Sequence, residues 1–319
     1  MELPLQKTIE NKILENYIDY QCLFMEFQSK FLSSLYSRYE NLENGNLVLY
    51  YAKQAHRDIL RLKDYDLNFN ISYEKFWENN SKINHKQKSI IKIARDTLLP
   101  KETTRRKILQ LVKKEILNKE NRNIKWLPSE QYKQRYNIII DNEINEVCKL
   151  IDFVCQKTNF TISKEEVIKS IKEKFSFYWF HFLEAQLEYL KLWNKQIKDL
   201  ELVIILLQVA HVFTAQAKEK NLSHRDLFND PNLFTKFAGA GISATSIYEI
   251  TRIPRATCVR KLKTLVKLKM ILQDKSTRRY YVIPEATLND LISQKITTKV
   301  VQLFSNFFFI CLRGISTKT

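Results

Sequence analysis

Apolar residues recur at three- and four-residue spacing along most of the chain and nowhere alternate over any length, so the pattern predicts helices rather than a sheet. The longest runs are Tyr17 to Tyr39 and Leu47 to Leu62, then Val167 to Ile197 and Leu200 to Lys218. After each pair the pattern predicts a short helix, Lys88 to Asp96 and Ala244 to Thr251, with Ser243 placed to cap the second through its hydroxyl. A short turn follows, ending in Pro100 or Pro254. Proline suits the first turn of a helix, because its missing N–H has no intrahelical acceptor to lose. The next helix runs to about Lys114 or Lys267. Two extended runs come after it, Glu115 to Asn118 with Ile124 to Leu127, and Met270 to Gln273 with Arg279 to Ile283. An amphipathic helix closes each series, Asn142 to Gln156 and Leu288 to Leu312.

The order of elements repeats because the residues repeat. Pro100 to Leu117 returns as Pro254 to Ile271 at a shift of 154, with 7 of 18 positions identical. Leu47-Val48 with Ala55-His56 returns as Leu202-Val203 with Ala210-His211 at 155, and Pro128 as Pro284 at 156. The apolar pattern breaks between Lys157 and Lys164, which puts the boundary between units 1–160 and 161–319. A repeat of this length determines architecture ahead of any single motif. The expected fold is mostly α, two copies of one helical unit, each carrying a small two-stranded β hairpin.

Composition narrows the function. With 319 residues, 45% of them hydrophobic, the chain can bury a core without disulfides or a structural metal. The cysteines Cys22, Cys148, Cys155, Cys258 and Cys311 have no zinc spacing and read as reduced thiols among apolar neighbours. No GxSxG, HExxH or P-loop is present, and Gly239-Ala-Gly241 lacks the third glycine of a dinucleotide loop, so it reads as a flexible joint. No catalytic residue, cofactor or metal is expected. Leu202 to Phe213 and Val300 to Leu312 are oily but shorter than the roughly 20 residues of a membrane span. The N-terminus has no apolar signal core. The expectation is a cytoplasmic, nucleoid-associated protein with no membrane partner. His56 and His211 read as bundle histidines satisfied by hydrogen bonds, and His85, His181 and His224 have no neighbours at metal spacing. The dense aromatics of Phe175 to Phe182 read as core or interface.

Charge asks for a partner. Lys and Arg number 52 against 35 Asp and Glu, a formal net charge of +17. Residues 101–125 hold nine basic and three acidic residues and 252–279 hold ten and one, so these two windows carry +15 of the +17. Projection at about 100° per residue puts Thr104, Ile108, Leu111 and Val112 on one face of the first basic helix and Glu102, Thr103, Arg106, Gln110 and Lys113 on the other. The second helix turns Cys258, Leu262, Leu265 and Val266 inward and Ala256, Thr257, Arg260, Thr264 and Lys267 outward. Thr103/Thr257, Arg106/Arg260 and Lys113/Lys267 therefore match on the outward faces.

Helix, tight turn, helix and basic hairpin, most specifically across Ile250-Thr-Arg-Ile-Pro-Arg-Ala-Thr-Cys-Val-Arg-Lys-Leu-Lys-Thr-Leu-Val-Lys267, resembles the winged helix-turn-helix of bacterial transcription regulators. The flanking helices resemble the MarR family arrangement. Leu98 and Arg252 stand where such turns usually carry glycine. The resemblance implies a sequence-specific double-stranded DNA-binding regulator, a single-chain pseudo-dimer with two recognition helices in successive major grooves, alone or as a further homodimer. Arg106 and Arg260 are the expected guanine contacts, with Thr103 and Thr257 on a thymine methyl or a phosphate. Gln110, Lys113, Thr264 and Lys267 share those outward faces, and Arg105, Lys107, Arg255, Lys261 and Lys263 flank them toward phosphates. Lys119 and Arg122, and Lys275, Arg278 and Arg279, are the expected hairpin contacts. A small-molecule effector follows by analogy alone. The alternatives are a plasmid-type replication initiator with tandem winged helices and a winged-helix protein-interaction scaffold.

Overall fold

The computed structural model describes residues 3–83, 88–121, 123–221, 241–282 and 291–316. The described chain is 75% helix, with two small antiparallel hairpins. A first series comprises α1 (Gln6–Glu15), α2 (Tyr17–Tyr39), α3 (Leu42–Tyr65), α4 (Phe76–Lys82), α5 (Ile90–Thr97), α6 (Lys101–Lys113), β1 (Asn118–Glu120), β2 (Asn123–Lys125) and α7 (Glu130–Thr158). A second comprises α8 (Lys164–Glu173), α9 (Phe175–Ile197), α10 (Leu200–Glu219), α11 (Ala244–Thr251), α12 (Arg255–Lys267), β3 (Ile271–Gln273), β4 (Tyr280–Val282) and α13 (Leu291–Ser316). The order is the same apart from α4, whose counterpart would fall in residues outside the described set.

Capping explains the boundaries. Ser163 accepts from the Glu166 amide while the Glu166 side chain reaches back to the Ser163 amide, a capping box that starts α8 where the apolar pattern had broken. The run expected as one helix from Val167 to Ile197 is two, separated at Lys174, and α1 went unpredicted because its polar face outweighs three buried residues, Ile9, Glu10 and Ile13. α3 begins earlier than periodicity suggested, since Asn41 accepts from the Asn44 amide at 2.8 Å. Asp199 caps α10 in the same way, accepting from Glu201 and Leu202. Asn41 and Asp199 correspond at a shift of 158. The 155-residue register read from Ala55-His56 and Ala210-His211 is therefore displaced by nearly one helical turn. Thr214, rather than His211, stands where His56 stands.

Each half of the chain packs chiefly against the other. α2 lies along α10 and α3 along α9, while α1 packs on α13 and α8 on α7. Ser29 donates to Gln208 at 3.0 Å, Thr214 to Met25 at 3.4 Å, and Lys218 pairs with Asp19 at 3.0 Å; falling numbers on α2 against rising numbers on α10 make the pair antiparallel. Matching ring pairs join α2 to α9: Phe24 meets Tyr189 edge-on at 5.9 Å, and Phe31 meets Phe182 at 5.6 Å. Phe175, Tyr178, Trp179 and Phe182 are all buried, as core residues should be. The result is one continuous hydrophobic core drawn from both halves. Among the described residues α10 is the single helix long and apolar enough to cross a membrane, and 61% of that stretch is buried inside the core.

Candidate nucleic-acid interface

The helix, turn, helix segments are built alike. Ser89 caps α5 by accepting from Lys92, and Ser243 caps α11 by accepting from Ser246. Leu98 (φ 55°) and Arg252 (φ 61°) close these helices in the left-handed region. The turn thus follows the path that glycine usually takes, at a cost of about 1 kcal/mol for a residue with a Cβ. Thr97 and Thr251 donate back to Ile93 and Ile247, and Pro100 and Pro254 accept the first helical bonds from Thr104 and Cys258. Thr104, Ile108 and Leu111 of α6 and Cys258, Leu262 and Leu265 of α12 are buried, as helical phase requires.

On the opposite faces Arg105, Arg106, Gln110 and Lys113 of α6 and Arg255, Arg260, Lys263, Thr264 and Lys267 of α12 are exposed, while Thr103 and Thr257 are half-buried. Arg105 lies 3.9 Å from Glu102, and the Arg255 Nε donates to Thr245 at 3.3 Å. Two expected phosphate contacts belong elsewhere. Lys107 is 8% exposed; its Nζ donates to Asn41 at 3.0 Å and pairs with Glu43 at 2.8 Å. Lys261 pairs with Asp199 and, at 3.1 Å, with Glu201. Both lysines point down onto the first turn of the long bundle helix of their own unit, where carboxylates and cap oxygens converge. Their positions, three residues after Thr104 and Cys258 and four before Leu111 and Leu265, lie at the margin of the buried stripe. Their identity in both copies, with a carboxylate 158 residues apart at Glu43 and Glu201, was the signal available in the sequence.

The hairpins differ. β1 pairs with β2 from Asn118↔Lys125 to Glu120↔Asn123, and β3 with β4 from Ile271↔Val282 to Gln273↔Tyr280. Lys119 is exposed, and Arg122 lies outside the described residues, as do Pro284, His85 and His224. In the second hairpin Lys275, Arg278 and Arg279 are exposed, and the Arg279 Nη1 donates to the Gly241 carbonyl at 3.2 Å. Ile242 exchanges two backbone bonds with Tyr280, so this hairpin gains a third short edge. A Cβ on Gly241 would stand 2.7 Å from the Tyr281 ring, so close approach, not flexibility, explains this glycine; Gly239 lies outside the described residues. Asp274 accepts from the Ser276 hydroxyl at 2.6 Å and from the Thr277 and Ser276 amides at 2.7 Å, which hold its carboxyl down at about 2.

The tertiary arrangement brings the two segments to one end of the bundle. Lys107 and Lys114 reach Glu43 and Glu40 around the α2–α3 connection, and Lys261 reaches Asp199 and Glu201 around the α9–α10 connection. Because α2 and α10 run antiparallel, these two connections lie at the same end. Each segment also touches the other half: Asn194 of α9 donates to the Leu98 carbonyl at 3.4 Å, and α11 packs on α2.

His56 is fully buried, stacked on Phe76 at 4.4 Å, with neither ring nitrogen hydrogen-bonded among the described residues, which corrects the expectation of a satisfied histidine. Burial lowers its pKa to about 3, so it is neutral. His211 is half-buried and sits on a different turn. A cavity of about 480 Å³ opens at the opposite end of the bundle, where Lys63, Asp64, Lys174, His181 and Arg313 stand among apolar residues including Phe177 and Phe309. No cluster of metal-ligating side chains occurs among the described residues. Comparison with family models, characterised proteins and solved structures finds no match for this chain.

Proposed function

We propose that this chain is a sequence-specific double-stranded DNA-binding protein, a transcriptional regulator in which two winged helix-turn-helix units in one polypeptide act as a pseudo-dimer. The observation that carries this reading is the placement of both basic helix and hairpin segments at one end of a shared core, with Arg106, Gln110 and Lys113 on one exposed helix and Arg260, Thr264 and Lys267 on the other. A helix of this kind fits a major groove, where forked arginine donors pair with guanine and lysines hold phosphates. Fusion makes the second binding event intramolecular. The two outward sets differ, so the target is an imperfect palindrome.

Selection of bound duplexes from a random pool tests the reading. Recovery of a preferred site with two half-sites about one helical turn apart supports it. Arg106→Ala combined with Arg260→Ala is expected to abolish that preference while leaving the circular dichroism spectrum unchanged. Binding with no preferred sequence, or none at low salt, overturns it. The scaffold reading has one observation in its favour, the exposed Tyr248, Ile250, Leu268 and Leu272 around the second segment. Salt separates the two, because duplex binding through phosphates weakens steeply with added salt.

A further inference from the structure

Although the sequence makes both windows strongly basic, the ion pairs do not treat them equally. In the first, Glu102 approaches Arg105, Glu43 holds Lys107, Glu40 holds Lys114 and Glu120 holds Lys125. Adding the two helix-end carboxylates, the described residues there present eight cations against five carboxylates. The second window, with Asp199 and Glu201 included, presents ten against three. Lys261 is its one cation paired with a carboxylate among the described residues, and the Asp274 carboxylate is turned into the hairpin by its own amides. Arg252, Arg255, Arg260, Lys263, Lys267 and Lys269 around α12, with Lys275, Arg278 and Arg279 on the hairpin, are exposed and, among the described residues, face no carboxylate within ion-pair distance.

We infer that the two faces divide the work on a polyanion: the C-terminal helix and hairpin grip the phosphate backbone and supply most of the affinity, while the N-terminal face, where Lys101, Arg106, Lys113 and Lys119 are the exposed cations outside those pairs, adds less. This rests on the DNA-binding reading above. A cation already neutralised by a neighbouring carboxylate brings no net charge to a phosphate, whereas each free one displaces about one condensed counterion. The arrangement makes docking ordered, with the C-terminal unit landing first and tethering the N-terminal helix over the adjoining groove. Arg252 and Lys269, at the two ends of α12, belong to this gripping surface although the outward-face projection leaves them out.

The test is the salt dependence of duplex binding by the full-length chain, read by fluorescence anisotropy on a pool-selected duplex between roughly 0.05 and 0.2 M salt. Lys263→Ala with Lys267→Ala is expected to flatten the slope of log affinity against log salt by about 1.8, near 0.9 per lost phosphate contact. Arg105→Ala with Lys114→Ala is expected to change it by less than half as much. Glu102→Gln with Glu120→Gln unmasks cations and is expected to tighten binding several-fold and steepen the slope. Equal flattening from both faces, or no tightening in the glutamine variant, overturns the division of labour while leaving DNA binding intact. If the unaltered chain fails to bind any duplex, the functional reading fails with it. Thermal melts of each variant separate lost contacts from lost fold.

Discussion

Residues 89–125 and 243–282 form the same helix, turn, helix and hairpin, and setting one beside the other separates what packing demands from what the surface is free to vary. The inward positions agree: a left-handed non-glycine residue in the turn, a threonine bonding back one turn, leucines at 111 and 265, and a lysine clamped to the bundle at 107 and 261. Several outward positions diverge, with Glu102 against Ala256, Leu109 against Lys263 and Lys119 against Gln273. Identity between copies is therefore weak evidence of a shared ligand where a long side chain can reach the interior. Lys107 and Lys261 are shared by the halves as internal anchors; Arg106 with Arg260, one residue earlier, and Lys113 with Lys267 are exposed pairs that packing does not explain.

The strongest way to break this comparison is in the buried stripe. Leu111→Ala and Leu265→Ala each remove a fully buried side chain and are expected to cost about 3 kcal/mol in urea unfolding, by similar amounts. A large inequality would mean that the two segments are not held by equivalent cores. Next come the anchors. Lys261→Ala leaves two carboxylates facing each other and is expected to cost about 2 kcal/mol, and Lys107→Ala about 1 kcal/mol, since Glu43 is half open to solvent; these values are reduced from the buried-pair range for that screening. Lys113→Ala and Lys267→Ala should stay within about 0.5 kcal/mol.

His56 and Thr214 offer a subtler contrast. The histidine's folded pKa lies below its unfolded value, so the unfolded state binds more protons below pH 6.5. Stability at this position is complete above that pH and falls by about 1.4 kcal/mol per unit as pH drops toward 3. His56→Thr, copying the second half, is expected to flatten the stability profile between pH 6.5 and 5; an unchanged slope would place the titration elsewhere. The smallest effect is in the turns. Leu98→Gly and Arg252→Gly relieve a left-handed Cβ and are expected to gain up to about 1 kcal/mol, less whatever the glycine adds to unfolded-chain freedom.

Much of this was legible in the residues. Helical spacing located α2, α5, α6, α10, α11 and α12 closely, because each buries one stripe and carries its own stop signals. The hairpin runs were placed to within a few residues, and the break before Lys164 fell on a capping box. Two helix starts were missed: α3 begins at Leu42 instead of Leu47, and α7 at Glu130 instead of Asn142. Asn41 caps α3 through a side-chain bond that periodicity does not register, and the false match of His56 with His211 followed from anchoring the register on small apolar residues instead of the caps Asn41 and Asp199. The exposed faces of α6 and α12 were readable by phase alone, but phase has no means of showing that a lysine at the stripe's edge meets a carboxylate brought from another helix.

The sequence by itself determined the repeat, the order of elements, the buried stripes and the concentration of charge in two windows, because each depends on neighbours within a turn or two of chain. Tertiary structure alone decided that the halves interlock through α2 with α10 and α3 with α9, that both basic segments meet at one end, and which cations the carboxylates of the described residues pair. Those outcomes depend on contacts between residues far apart in the chain, such as Ser29 with Gln208 or Met25 with Thr214, and on carboxylates that only the folded chain brings within reach.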